Sequence, residues 1–529
     1  MLSLQQITYR HPNKELLFSN LNLTVNPHDK IALIGNNGVG KSTLLKLIAG
    51  KIMPNAGHLH VDTSPYYVPQ IFGQYNHYSV AEALGVNSKL TALLEILNGN
   101  ANDDYFEALD NDWTIEQRCL EALDYWQLQD IDLQQPMSSL SGGQKTKVFL
   151  AGISIYNPQL ILLDEPSNHL DAASRQLLYQ FIRRTKSTLL VISHDRQLLN
   201  LLDTICELST QGISVYGGNY DFYTEQKQLA KNALEQDINS KEKALRKAKE
   251  KERETLERQQ KQDAKGKKKQ EKAGVARIMM NTLRNNAEKS TAKTKEVHAE
   301  KIGGMAQELS ALRSQLPDAD KMKFGFNNSS LHKGKLLFKA TGLNHCYHQQ
   351  ALWKEDLYLQ IASGERIAIR GLNGSGKTTL IHLLLGNLHT SIGELQITKV
   401  NAAYIDQDYS LINPLLNVYE QAQHFNTGAL QEHEVKTRLN RFLFDKEDWD
   451  KPCSGLSGGE RMRLMLCCLT LGSHAPDLIV LDEPTNNLDI QNIEILTAAI
   501  NEYEGTLLVV SHDEYFLEQI NIQAEIKLE

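Results

Sequence analysis

Short, unbroken apolar runs punctuate the chain at Ile31-Ala-Leu-Ile34, Leu160-Ile-Leu-Leu163 and Thr188-Leu-Leu-Val-Ile192. They return late in the chain as Leu478-Ile-Val-Leu481 and Thr506-Leu-Leu-Val-Val510. Strands that bury both faces have this composition, whereas half-exposed strands alternate. Ile31–Ile34 leads into a glycine-rich loop, and Ser42 to Ala49 then reads as a helix with Gly50 as its C-terminal stop. The pattern predicts an α/β unit written twice.

From about Asp221 to Ser314 the character changes. Glycine and proline nearly vanish, and Lys, Glu, Gln and Ala dominate. Ala230 to Gln262 and Ile278 to Leu312 read as two long helices. Gly266 and Gly274 bracket a break between them that holds Lys267-Lys-Lys-Gln-Glu-Lys272. An antiparallel helical hairpin joining the two α/β units is the natural arrangement. Val275, Ile278, Met279 and Met280 fit either an apolar tip or the start of a packing seam. Pro317, Gly325 and Asn327-Asn-Ser-Ser330 mark the linker into the second unit. The expected domains are therefore 1–220, 221–325 and 326–529.

Charge sharpens this division. The 529 residues carry a net charge of −8. Residues 241–300 alone hold about 19 Lys/Arg against about 10 Asp/Glu, which leaves about −17 for the rest. The chain is not a uniformly basic nucleic-acid binder; its positive charge sits in the hairpin. No apolar run approaches a membrane span, and the amino terminus has neither basic flank nor signal-peptide core. A cytoplasmic protein without membrane insertion is expected. Six scattered cysteines, Cys119, Cys206, Cys346, Cys453, Cys467 and Cys468, contain no Cys-x-x-Cys pair and read as reduced, packed thiols.

The repeat carries chemistry. Gly35-Asn-Asn-Gly-Val-Gly-Lys41-Ser42-Thr43 recurs as Gly371-Leu-Asn-Gly-Ser-Gly-Lys377-Thr378-Thr379. Each copy is followed by a Gln (Gln70, Gln407), a Leu-Ser-Gly-Gly, an Asp-Glu-Pro and a Ser-His-Asp. A triphosphate needs several converging donors. Gly35, Gly38 and Gly40, and Gly371, Gly374 and Gly376, let backbone N–H groups approach it, together with Asn36, Asn37 and Asn373. Lys41 and Lys377 are placed to reach the β- and γ-phosphates, and Ser42 and Thr378 to ligate Mg²⁺. Asp164 and Asp482 end apolar strands, beside the metal. Glu165 and Glu483 follow directly and point elsewhere, suited to orient the attacking water. His194 and His512 follow buried strands and suit a γ-phosphate contact. Offsets between the copies are about 336 at the P-loop but about 316 to 318 downstream, so roughly 20 extra residues fall within 71–139. That insertion is acidic, with Asp103, Asp104, Asp110 and Asp112, and reads as a short helical, protein-facing arm.

Leu140-Ser141-Gly142-Gly143-Gln144 and Leu456-Ser457-Gly458-Gly459-Glu460 complete a set that resembles the ATP-binding cassette ATPases. The resemblance implies two P-loop cassettes paired head to tail within one monomeric chain. ATP on Lys41 would be capped by Ser457 and Gly459, and ATP on Lys377 by Ser141 and Gly143. Gln70 and Gln407 would join the Mg²⁺ shell, and Tyr9 and Tyr347 would stack on adenine. Asp164-Glu-Pro-Ser-Asn-His-Leu-Asp171, Asp482-Glu-Pro-Thr-Asn-Asn-Leu-Asp489, Gly217-Gly-Asn-Tyr-Asp-Phe-Tyr223 and the basic hairpin narrow the resemblance to the F class, which acts on ribosomes. Asn487 departs from the histidine usual there. Both copies keep every expected catalytic group, so two competent ATPase sites are expected. The F class implies that the hairpin contacts ribosomal RNA and P-site tRNA. Lys265, Lys267, Lys268, Lys269, Lys272 and Arg277 are the candidates.

Other readings stay open from sequence. The hairpin could be a solvated coiled coil that only tethers the cassettes. The chain could energise a transporter whose membrane part is a separate protein, although the hairpin and the Asn-His element argue against that. A DNA-repair ATPase would carry its insertion inside one cassette or bring zinc cysteines. Within the ribosomal reading, a factor for stalled or initiating ribosomes and an antibiotic-protection protein are not distinguished.

Overall fold

A computed structural model describes the chain except residues 13–14, 101, 273–295, 297–298, 314–321, 323, 327–330, 348–349, 373, 487 and 529. It divides into two compact units: Met1–Tyr223 with Met322–Glu529, and Thr224–Lys321.

The first unit contains both cassettes. In the first, β3 (Lys30–Ile34), β5 (Tyr66–Val68), β6 (Leu160–Asp164), β7 (Thr188–Ile192), β8 (Thr204–Ser209) and β9 (Gly212–Tyr216) form one sheet, ordered β5-β6-β7-β3-β8-β9. All neighbours are parallel except β8 and β9. The runs read from sequence are its central strands, and β6 is buried along its whole length. A second, antiparallel sheet, β2-β1-β4, consists of β1 (Leu2–Arg10), β2 (Leu16–Val25) and β4 (Ala56–Val61). Leu33, Leu162 and Leu190 on one face of the main sheet share a core with Leu4, Leu21 and Val25 of this smaller sheet. The other face packs under helices Gly142–Tyr156 and Ala172–Arg184.

The second cassette repeats the plan. β14 (Arg366–Arg370), β16 (Ala402–Ile405), β17 (Leu478–Asp482), β18 (Thr506–Val510) and β19 (Ala524–Lys527) form a parallel sheet ordered β16-β17-β18-β14-β19. β10 (Leu336–Asn344), β13 (Leu357–Ala362) and β15 (Ile392–Ile397) make its antiparallel companion. β11 (Cys346–Tyr347) and β12 (Gln350–Ala351) form a small ribbon. In both cassettes Pro in Asp-Glu-Pro stops the buried strand at the carboxylates, since it cannot donate to a ladder.

The extra length of the first cassette is helical, as Asn87–Leu97, Asp103–Leu109 and Ile115–Tyr125. Asp103 and Asp104 occupy the first turn of their helix, where the macrodipole favours them. Arg118 and Lys89 converge on Asp112, so part of the acidic character is neutralised inside the arm.

In the second unit the helix runs unbroken over Tyr220–Lys272. It starts ten residues before the expected Ala230 and passes through Gly266, so the expected break does not begin there. One glycine costs a helix about 1 kcal/mol, which strong helix formers on either side offset. Arg277 and the apolar positions Val275, Ile278, Met279 and Met280 lie outside the described residues. Residues 299–313 are helical again. Lys241 pairs with Glu308, and Arg313 with Glu242, so the two helices lie side by side. Among the described residues, no helix is long and apolar enough to cross a membrane.

Candidate active sites

Each P-loop is held by contacts that leave no room for a side chain. Gly35 has φ +147°, and a Cβ there would collide with the Leu208 carbonyl of β8. Gly40, at φ +102°, caps helix Lys41–Ile48, where a Cβ would sit 2.8 Å from Leu17. The loop runs directly into the helix N-terminus, and Asn37, Gly38, Gly40 and Lys41 line one cavity.

Lys41 is buried within this wrap. Its Nζ donates to the carbonyls of Gly35 at 2.6 Å and Asn36 at 3.2 Å. Burial lowers its pKa, and Glu165, Asp489 and Asp164 pull in the opposite direction. An ammonium held mainly by carbonyl dipoles, at a helix N-terminus, is a site built for an anion. Lys377 repeats the geometry, donating to Gly371 at 2.8 Å and Leu372 at 3.0 Å.

Of the metal candidates, Ser42 and Asp164 are in contact, as are Thr378 and Asp482. Ser42 Oγ donates to Asp164 at 3.0 Å, and Thr378 Oγ1 to Asp482 at 3.3 Å. A hydroxyl and one carboxylate beside a phosphate cavity suit Mg²⁺, which keeps waters and phosphate oxygens as its other ligands. Two further residues escaped the sequence reading. Tyr67 donates to Asp164 at 3.1 Å, and Tyr404 to Asp482 at 3.0 Å. Each lies three residues before its cassette's glutamine, so the repeat itself could have revealed them.

Glu165 and Glu483 lie just past their strands, with φ of +52° and +50°. Left-handed backbone is uncommon at a non-glycine residue and is stored strain. It is held by Glu165 N–H donating to Ile192 at 2.9 Å and Glu483 N–H to Val510 at 2.8 Å. His194 Nε2 lies 3.2 Å from Glu165, and His512 Nε2 3.4 Å from Glu483. Burial pushes Glu165 up to about 8 and Glu483 to about 7, the latter opposed by Arg175 and Lys377. Burial also depresses His194 far below its ordinary value and His512 to about 4. Both imidazoles are thereby held neutral, so these contacts are not ion pairs. The approach of His194 Nε2 to Glu165 Oε1 is not a hydrogen bond, and Glu165 Oε1 and His194 Nδ1 are both buried without one among the described residues. Asp195 and Asp513 instead cap the short helices that follow.

The first cleft, about 380 Å³, is lined by Asn37, Gly38, Gly40, Lys41, Ser42, Thr43, Gln70, Glu165 and His194. Tyr9 does not line it; its ring packs against Phe18, and His11 stands at the cleft instead. His11 follows β1 directly, so it reaches the cleft from beyond the strand's end. The second cleft, about 670 Å³, is lined by Tyr347, Gly374, Gly376, Lys377, Thr378, Thr379, Gln407, Asp482 and Glu483. Asn373 lies outside the described residues. Both volumes suit a nucleotide.

The signature serines are N-caps. Ser141 Oγ accepts from Gln144 N–H at 3.3 Å while Gln144 returns a bond to Ser141 N–H, and Ser457 and Glu460 do likewise. Gly142 and Gly143 pack against His169 of their own cassette, and Gly459, one residue past Gly458, against Asn492. None of these signature residues lines either P-loop cleft. The cassettes are nevertheless joined at the first site. Asn37 N–H of the first P-loop donates to Asp489 Oδ2 of the second cassette at 2.8 Å.

Comparison with known proteins agrees with this geometry. The model of the "ABC transporter" family matches residues 18–168 and 355–486. The chain is 30% identical to ATP-binding protein Uup of Haemophilus influenzae, over 95% of this chain and 75% of that one. It is 29% identical to ribosome protection protein VmlR of Bacillus subtilis, over 98% and 85%. Archaeal ribosome recycling factor aABCE1, solved with ribosomal stalk protein aP1, shares the fold with a TM-score of 0.60 at 20% identity, over 98% of this chain and 86% of that one. The folded sites are those of an ATP-hydrolysing pair of cassettes. The chain belongs to the ATP-binding cassette family and, within it, to the F class of twin-cassette ATPases.

Proposed function

We propose that this chain acts on the ribosome in the cytoplasm, where ATP closes its two sites to favour a bound state and hydrolysis releases it. The observation that carries this reading is its similarity to VmlR, which extends over nearly the whole chain and includes the segment between the cassettes. The charge distribution supports it independently. A segment with a surplus of about nine positive charges, on an otherwise acidic chain, suits an RNA-lined partner. Lys265, Lys267, Lys268, Lys269, Lys272 and Arg277 are the proposed RNA contacts, with ribosomal RNA and P-site tRNA as their targets.

At each site the chain's groups have separable roles. Lys41 and Lys377, with the P-loop amides, hold the β- and γ-phosphates. Ser42 with Asp164, and Thr378 with Asp482, hold Mg²⁺, and Gln70 and Gln407 complete its surroundings. Mg²⁺ supplies charge neutralisation on the β- and γ-oxygens. Glu165 and Glu483 orient the attacking water, and His194 and His512 contact the γ-phosphate. The signature residues Ser457 and Gly459, and Ser141 and Gly143, cap the opposite cassette's nucleotide once the pair closes. A switch of this kind requires that ATP bind the ribosome-bound conformation better than the free one.

The test is cell-free translation with added Glu165→Gln/Glu483→Gln protein. The proposal expects inhibition at protein concentrations near that of the ribosomes, with the wild type far weaker. Equal behaviour of the two proteins would overturn it.

A further inference from the structure

The two ATP sites differ at one position that faces across the pair. Asp171 and Asp489 cap equivalent helices, Ala172–Arg184 and Ile490–Glu502. Four residues beyond each cap stand Arg175 and Ile493. Both border the crevice where the cassettes meet, among Asp195, His512 and Asp513. Arg175 Nε donates to the Leu170 carbonyl of its own cassette at 3.1 Å. Its Nη1 donates to the His512 carbonyl of the other cassette at 3.2 Å. Ile493 is fully buried and has no donor to offer His194.

We propose that Arg175 is a positioning residue that clamps the second cassette's His512 to the first cassette's Leu170 turn and so slows opening of the site on Lys377. The planar guanidinium suits this task. Two N–H groups leave it in fixed directions, so one side chain fixes the separation of two carbonyls on different cassettes. The Leu170 carbonyl belongs to the turn that enters the capped helix, and His512 is the residue beside Glu483. Parting of the cassettes at this site must break the Arg175–His512 bond. Parting at the first site breaks a different bond, Asn37 N–H to Asp489, and among the described residues no guanidinium there holds His194. Other bonds also cross between the cassettes, from Asn37 to Asp489, Arg196 to Gln519 and Asn200 to Tyr515, but among the described residues none of them holds His194 as Arg175 holds His512.

The inference rests on the reading of both clefts as ATP sites, and the experiment separates the two claims. Glu165→Gln/Glu483→Gln protein is loaded with a fluorescent ATP analogue and chased with unlabelled ATP. Two phases of equal amplitude are expected. A Lys377→Ala substitution in the same protein should abolish one of them, which is thereby assigned to the second site. Arg175→Ile, which gives the second site the neighbour that the first already has, should speed only the second site's phase, by about tenfold, the loss of one bond to a charged donor. Arg175→Lys, which retains charge but not the fork, should fall between. Thermal melting shows whether each variant folds, and Arg175→Gln replaces Arg175→Ile if that one does not. Unchanged release, or equal acceleration of both phases, would overturn the role given to Arg175. Failure to bind the analogue at all would overturn the ATP sites themselves.

Discussion

Asp489 performs two jobs that substitution can separate. Its Oδ1 accepts from Asn492 N–H at 2.8 Å and Asn492 Nδ2 at 2.7 Å, capping helix Ile490–Glu502. Its Oδ2 accepts from Asn37 N–H across the cassettes at 2.8 Å. The side chain is 3% exposed, so water does not replace either partner cheaply. Asparagine caps helices as well as aspartate does. In Asp489→Asn the single remaining oxygen serves the cap, and the amide NH₂ then faces Asn37 N–H, donor against donor. The cap survives and the cross-cassette bond is lost. A hydrogen bond to a charged group contributes about 1.5–3 kcal/mol, so kcat/KM for ATP at the first site should fall about tenfold or more. Asp489→Ala loses the cap as well and should cost about a further 1 kcal/mol of stability. The assay is steady-state ATPase in a Glu483→Gln background, which isolates the first site, with urea unfolding alongside. Unaltered kcat/KM in Asp489→Asn, or equal loss of stability in the two variants, would refute this division of labour.

Removing the hydroxyl from Tyr67 or Tyr404 frees the carboxylate that each orients, and Mg²⁺-dependent activity at that site should drop about 10- to 100-fold when titrated against Mg²⁺. Glu165→Gln and Glu483→Gln should each reduce turnover at their own site by about 10²- to 10⁴-fold in single-turnover assays; full overall activity in either would contradict two competent sites. Arg366 donates to the carbonyls of Ile500, Tyr503 and Ile520 at 2.6–2.9 Å, so Arg366→Ala should cost at least about 2 kcal/mol in urea unfolding without altering the P-loop. Changing Lys267, Lys268 and Lys269 together to Gln should reduce the salt slope of ribosome binding by about two to three units of log K per log salt.

The nucleotide chemistry was legible because it depends on short motifs. A P-loop needs its glycines at fixed spacing, and the strands beneath it need continuous apolar residues, so Lys41, Ser42 and Asp164 meet as their order suggests. The helical arm was legible from the mismatch in repeat offsets. Tyr67 and Tyr404 were missed because a strand tyrosine resembles packing until its hydroxyl's partner is known, although their equal spacing from Gln70 and Gln407 held the signal. Tyr9 packs against Phe18 where β1 shifts register between Ile7 and Tyr9, and His11 reaches the cleft from just beyond the strand; neither is visible in a local pattern. The reach of the helix through Gly266 was hidden because glycine signals a break only when its neighbours do not outweigh it. Arg175 and Asp489 act across the pair, and no local pattern encodes a partner in the other cassette.

The central claim is that ATP drives this chain onto ribosomes. Cosedimentation of Glu165→Gln/Glu483→Gln protein with ribosomes, with and without ATP, tests it most directly. The account predicts that the protein pellets with ribosomes in ATP and remains in the supernatant without it. Absence from the ribosome pellet at low salt, with ATP demonstrably bound, would contradict it.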